Sequence, residues 1–150
     1  MNLTKIKARA RRLTVLAGLL PAACFFPPGE PASPLIGSWA SADNNKVTFG
    51  PTSIVVTSDK GQATTMSGAE CNGAYKLVYG RMETAPLERA FPSQADLQTK
   101  LKQLLVKPEY PVADVTCDQG GTTYLMLDDH QVLAVYRDAG VGGLEHLNRL

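Results

Sequence analysis

The stretch TTYLMLDDHQVLAVYR, from Thr122 to Arg137, decides the fold of this chain. Two apolar runs meet at the acidic segment Asp128-Asp129-His130, and this pattern predicts a β-hairpin. Successive side chains of a strand point to opposite faces, and here both sets of positions are apolar. We therefore expect both faces to be buried, as in the central strands of a sheet. One face is predicted to carry Tyr124, Met126, Val132, Ala134 and Tyr136, and the other Leu125, Leu127, Leu133 and Val135.

Further strand signals and one helix signal surround this hairpin. Trp39 lies in the first predicted strand and, like Tyr124 and Tyr136, is predicted to be a core residue. Ser93 can cap a helix that ends before Pro108. Strands are predicted at 35–40, 46–49, 53–57, 62–67, 73–79 and 111–117, and the apolar stripe of the helix consists of Leu97, Leu101, Leu104 and Leu105.

These elements predict an α+β fold. The sheet is expected to be mostly antiparallel, or a small open barrel, with about seven or eight strands. One amphipathic helix is inserted between the strands. Leu144, Leu147 and Leu150 follow a glycine-rich hinge and predict a short C-terminal helical segment that caps the core.

The N-terminal region is predicted to direct export. Residues 1–23 combine a basic start with an apolar run of about 12 residues, which is typical of a signal peptide and too short to span a bilayer. Residues 24–34 are rich in proline and predict an extended tether. A single globular β-rich domain is expected over residues 35–150.

The segment Leu20-Pro21-Ala22-Ala23-Cys24 resembles the lipobox of bacterial lipoproteins. The resemblance implies cleavage before Cys24 and lipidation of that residue. The domain would then be anchored at the periplasmic face of the cell envelope, with the outer membrane as the expected location. The alternative is ordinary signal-peptidase cleavage near the same residues, which would release a soluble periplasmic protein.

The cysteine count supports a structural disulfide. The chain has three cysteines, and lipidation of Cys24 leaves Cys71 and Cys117 as a pair in an oxidising compartment. Closing a loop of about 47 residues stabilises a domain by roughly 4 kcal/mol on the chain-entropy model. A redox or metal-binding role is the alternative, but the chain has no C-x-x-C motif and no histidine near either cysteine.

Charge and motifs argue against several functional classes. Without residues 1–23, ten basic residues face fourteen acidic ones, a net charge of −4 that does not suit nucleic acid. Asp128-Asp129-His130 is the one cluster of catalytic residue types, but its turn position favours a structural role. His146 has no partner that the sequence identifies. We therefore expect neither an enzyme nor a metal site nor a cofactor.

Two short motifs resemble segments of known exported proteins, among them periplasmic inhibitors. Gly37-Ser38-Trp39 resembles the G-x-W start of lipocalin-like barrels and of small periplasmic inhibitors of metalloproteases. Ser67-Gly68-Ala69 resembles a segment of the membrane-bound lysozyme inhibitors. The sequence thus predicts a non-catalytic, lipid-anchored envelope domain that binds a protein or another envelope component. The sequence does not identify this partner. The alternative is a periplasmic inhibitor of an exported hydrolase, either a lysozyme or a protease.

Lipidation predicts a specific mass for the mature protein. We expect the protein from a membrane fraction to begin at Cys24 and to carry acyl groups, which intact-mass spectrometry detects directly. An unmodified chain that begins after residue 24, recovered from the soluble periplasmic fraction, would show that the lipobox interpretation is wrong.

Overall fold

The computed structural model describes residues 32–67, 71–118, 120–138 and 141–150. The predicted signal peptide, Cys24 and most of the predicted tether lie outside the described residues. Neither helix within these ranges is long and apolar enough to cross a membrane. The elements in chain order are β1 (Gly37–Ser41), β2 (Lys46–Phe49), β3 (Ile54–Thr57), β4 (Ala63–Met66), β5 (Lys76–Glu83), α1 (Thr84–Glu88), α2 (Ala95–Leu104), β6 (Glu109–Thr116), β7 (Gly120–Met126), β8 (Gln131–Asp138) and β9 (Val141–Arg149).

The strands in the described part of the chain form one antiparallel sheet with the order β4-β3-β2-β1-β9-β8-β7-β6-β5. The prediction of a β-rich, mostly antiparallel domain is confirmed. The predicted count of about seven or eight strands is wrong, because the described residues form nine. The alternative of a small open barrel is not exact either: the sheet is not closed, and β4 and β5 are its two edges.

The additional strand is β9, which lies where a short helical segment was predicted. Its residues pair with β8 from Gln131 to Asp138 and with β1 from Trp39 to Ser41. This strand therefore joins a first half of the sheet, β1–β4, to a second half, β5–β8. The i, i+3 spacing of leucines that suggested a helix is overridden by strand pairing on both sides.

The prediction that the central hairpin is buried on both faces is confirmed. Tyr124 lies opposite Ala134 and Leu125 lies opposite Leu133, as the alternation requires. Tyr124 and Ala134 belong to one core cluster, whereas Leu125 and Leu133 belong to another.

The first cluster fills the inner face, the face on which the two halves of the sheet meet. The rings of Phe49 in β2 and Tyr124 in β7 lie edge to face with centroids 4.9 Å apart. The Tyr79 hydroxyl of β5 donates a hydrogen bond to the Gly50 carbonyl at 2.6 Å. The sheet therefore curls so that distant strands share one core. Its fully buried members include Leu35, Trp39, Ile54, Val115, Val132 and Leu147.

The prediction that Tyr136 is a core residue is wrong. Its side chain lies at the end of the inner face and is 36% exposed. Its neighbours across the sheet are Gly143 in β9 and Thr122 in β7, so no large apolar side chain covers the ring.

The two helices cover the outer face of the second half. Leu97 and Leu101 of α2 are buried against it, together with Leu87 and Phe91. The prediction that Ser93 caps this helix is wrong, because Gln94 occupies the N-cap position without a side-chain cap bond. The Gln94 amide is instead paired with the backbone of β9.

Gly142 is the contact point between β9 and the helices. Its N–H donates a hydrogen bond to the Gln94 Oε1 at 2.6 Å. A Cβ atom at Gly142 would lie 2.3 Å from Phe91 Cε1 and 2.5 Å from Leu97 Cδ2, and both of these side chains are buried. The helical layer thus approaches the sheet more closely than any side chain at this position permits.

This packing predicts different effects for two adjacent glycines. Gly142→Ala should lower the free energy of unfolding by about 1–3 kcal/mol, because the new methyl group overpacks the outer core. Gly143→Ala is the matched control, since its Cβ would meet only Tyr136 Cδ2 at 3.7 Å. Urea denaturation measures both variants, and equal loss of stability in the two would contradict this account of the helix–sheet contact.

Candidate functional site

A disulfide joins the loop before β5 to the loop after β6. Cys71 and Cys117 are bonded with their Cα atoms 4.8 Å apart. The Asn72 Nδ2 donates a hydrogen bond to the Asp118 Oδ2 at 2.7 Å and so reinforces the same junction. The bridge lies at the end of the β5–β6 pair, where Lys76 is opposite Thr116. It therefore fixes the two loops that form one wall of a cleft.

This cleft, which we call the disulfide cleft, has a volume of about 410 Å³. Ligand sites usually measure about 300–1,000 Å³ and combine an apolar lining with a few converging polar groups. The disulfide cleft has both, since Met66 and Cys117 provide apolar surface and most of the other side chains are polar. Those polar side chains belong to Asn72, Asp118, Thr122, Tyr136, Arg137 and Asp138.

Two glycines at the start of β7 keep the floor of the cleft free of side chains. A Cβ atom at Gly120 would lie 2.1 Å from the carbonyl oxygen of Arg137, and one at Gly121 would lie 2.2 Å from that of Val115. Neither position can hold a larger residue without movement of the backbone. The first two residues of β7 must therefore be glycines, because the neighbouring backbone leaves no space for a side chain.

One cation of the cleft is neutralised by its neighbours. Arg137 Nη2 lies 2.8 Å from Asp114 Oδ1, and the Thr123 hydroxyl donates a hydrogen bond to the same oxygen. Asp118 and Asp138, which are exposed at the rim, have no cation paired with them among the described residues. The rim therefore carries net negative charge.

Tyr136 supplies the aromatic surface of the cleft. Its hydroxyl donates a hydrogen bond to the Glu145 carboxylate on the neighbouring strand. Partial burial raises the pKa of Tyr136, and the hydrogen bond to Glu145 and the charge of that carboxylate raise it further. The ring is thus held in place by its hydroxyl while part of its surface remains exposed.

Three more tyrosines lie on the same inner face. Burial raises the pKa of Tyr124 to about 12, with smaller contributions from Glu145 and Tyr75. Burial also raises the pKa of Tyr75, whose hydroxyl has no hydrogen-bond partner within the described ranges. Burial and then the proximity of Tyr75 raise the pKa of Tyr79. These hydroxyls stay protonated at neutral pH, and they are therefore suited to hydrogen bonding and not to nucleophilic attack.

The structure places the other predicted residues away from the cleft. Asp128, Asp129 and His130 form the exposed turn between β7 and β8, where Asp128 Oδ1 accepts a hydrogen bond from the His130 N–H at 2.8 Å. His146 is exposed on β9. Across the residues that the structure describes, no three histidine, cysteine or acidic side chains are grouped to hold a metal ion.

Trp39 of the G-x-W motif anchors the first residues of the domain. The residue is fully buried, and its indole Nε1 donates a hydrogen bond to the Leu35 carbonyl at 2.8 Å. The Arg149 guanidinium lies 4.5 Å from the centre of the Trp39 ring and donates a hydrogen bond to the Pro34 carbonyl at 3.0 Å. Trp39 therefore holds the start of the domain against β9 and has no exposed surface for a partner.

Sequence reasoning did not find the disulfide cleft, although it identified the cysteine pair. The one signal present was the run Cys117-Asp118-Gln119-Gly120-Gly121, in which two adjacent glycines follow a paired cysteine. No protein-family model matches the chain, and comparisons with curated proteins and with solved structures find no significant match. The interpretation of the cleft therefore depends on its own residues.

The buried tyrosines predict a loss of stability in alkali. Tyr124 has an ordinary pKa of 10.0 when unfolded and a pKa of about 12 when folded, so its contribution is complete below pH 10 and disappears as the pH rises through 12. This one group should reduce the free energy of unfolding by up to about 1.4 kcal/mol per pH unit in that window. Urea titrations from pH 9 upward measure the slope, which should be smaller in Tyr124→Phe. An unchanged slope in that variant would contradict the assignment.

Proposed function

We propose that this chain is a non-catalytic, exported binding domain, held by a lipid on Cys24 at the periplasmic face of the cell envelope. Its partner, a protein or another envelope component, binds at the disulfide cleft. The observation that carries this proposal is the partly exposed ring of Tyr136 beside a glycine floor and several polar side chains.

The arrangement of the cleft favours binding over catalysis. Tyr136 is engaged with Glu145, and its raised pKa keeps it protonated at neutral pH. Arg137, the basic residue that lines the cleft, is already paired with Asp114. Held side chains of this kind lose little conformational entropy when a partner binds, and a partly exposed tyrosine is a frequent anchor of protein interfaces.

The disulfide supports the proposed location. A cysteine pair is kept oxidised in secreted and periplasmic proteins, whereas cytosolic thiols stay reduced. With Cys71 and Cys117 joined to each other, Cys24 is left as the cysteine available for the lipid. The inhibitor alternative remains a prediction from the two short motifs, and the burial of Trp39 gives it no additional support.

Site-specific photo-crosslinking in living cells tests the proposed function. A photoreactive residue at Asp138, on the cleft rim, should yield one discrete adduct of higher mass. The matched control is the same residue at Gln103, which is exposed on α2 and does not line the cleft. Digestion of the adduct with protease distinguishes a protein partner from another envelope component.

A second substitution connects any adduct to the cleft itself. Tyr136→Ala should reduce the Asp138 adduct by at least tenfold, because a buried aromatic anchor is commonly worth about 2 kcal/mol or more. Tyr136→Phe keeps the ring and should retain most of the adduct. The absence of an adduct at Asp138, or equal adducts at Asp138 and Gln103, would contradict the proposed function.

A further inference from the structure

The outer edge of β5 is a long, regular and accessible strand edge. All eight residues from Lys76 to Glu83 pair with β6 in an unbroken register, so no bulge twists the edge away. The strand contains no proline, which is one of the usual devices against edge pairing. The other edge, β4, has four residues and offers fewer positions.

The register identifies which backbone groups of β5 have no partner among the residues that the structure describes. The Thr84 N–H donates a hydrogen bond to the Pro108 carbonyl, so this pair is of the hydrogen-bonded type. Hydrogen-bonded pairs alternate in an antiparallel ladder, and Met82, Gly80, Val78 and Lys76 therefore direct their backbone groups toward β6. The N–H and C=O groups of Leu77, Tyr79 and Arg81 point away from the sheet.

The side chains along this edge leave room for another strand. Val78 is 44% exposed, and it is one of the few large hydrophobic side chains at the surface of the described structure. Gly80, which follows on the same face, is also exposed and carries no side chain. The charge of Arg81 is neutralised by a salt bridge with Glu109, so it does not repel an approaching strand.

We propose that β5 pairs with β5 of a second copy of this chain in an antiparallel, two-fold symmetric dimer. This inference goes beyond the proposed function and does not depend on the disulfide cleft. A two-fold axis at Tyr79 brings the free groups of Leu77 opposite those of Arg81 in the other copy and Tyr79 opposite itself. On the other face it places Val78 opposite Gly80 and Lys76 opposite Met82.

This register is self-complementary, and that argues for a second copy. No like charges lie directly opposite each other, since each cation faces an apolar residue. Val78 gains a contact with the partner backbone at Gly80, where no side chain interferes. Symmetric pairing through one surface closes at two copies and leaves no free edge of β5.

A proline substitution at Arg81 tests the pairing without disturbing β6. The N–H of Arg81 points outward, so Arg81→Pro removes an edge donor and the salt bridge with Glu109 but no hydrogen bond to β6, and it should leave the sheet intact. Arg81→Ala is the matched control, because it removes the salt bridge with Glu109 but keeps the N–H. Oxidised mature chains that carry Cys24→Ser serve as the background for both, and circular dichroism checks their folding.

Sedimentation equilibrium gives the outcome. The interface is small, so we expect a dissociation constant in roughly the micromolar range. Above that concentration the background protein and Arg81→Ala should be dimers, whereas Arg81→Pro should be monomeric. A monomeric background protein at all concentrations, or a dimer that survives in folded Arg81→Pro, would overturn the proposal.

If Arg81→Pro does not fold, a covalent test replaces it. The combined change Val78→Cys and Gly80→Cys places opposing thiols across the symmetric interface, and it should give a reducible dimer on a non-reducing gel. The single change Val78→Cys should give at least tenfold less, because Val78 of one copy does not face Val78 of the other. Equal amounts of covalent dimer in the two proteins, or none in either, would also overturn the proposal.

Discussion

The pairing of β9 with β8 on one side and β1 on the other is the constraint on which both cores depend. Leu147 of β9 is fully buried in the inner core, and Gly142 of the same strand admits Phe91 and Leu97 to the outer core. Without this strand, β1–β4 would be a meander of short strands with an uncovered apolar face. Small isolated sheets of that kind are marginal in water. The first half of the sheet thus depends on β9 for its stability.

Local pattern was a good guide to the strands that alternate strictly or bury both faces. The hairpin from Thr122 to Arg137 and the leucine stripe of α2 follow from side-chain periodicity, because packing agrees with local preference there. β9 was missed because Gly142 and Gly143 lower its strand propensity and its leucines are spaced as in a helix. Only contacts with distant residues reverse that preference. Tyr136 was misplaced for a related reason, since alternation gives the face of a residue but not where the core ends.

The candidate site was less accessible to sequence reasoning than the fold. The cysteine pair could be inferred by counting, yet the cleft beside it is assembled from the end of β4, the loop after Cys71 and the ends of three paired strands. These segments are far apart in the chain, and nothing local indicates that they converge. The acidic turn at Asp128 to His130 attracted attention because its residue types are close in sequence. Its side chains serve the turn itself, as the hydrogen bond from the His130 N–H to Asp128 shows.

The position of β9 in the chain also affects when the domain can form. It follows, in order of synthesis, every strand that it joins, and it pairs residue 39 with residue 149. Until residues 141–149 have emerged, β1 has no link to β8 and the inner core lacks Leu147, because contacts so distant in sequence form late. The strands β1–β4 therefore have no link to the rest of the sheet while most of the chain is being made. Only an unfolded chain can thread a narrow translocation channel, so the late completion of this sheet fits the export that we propose.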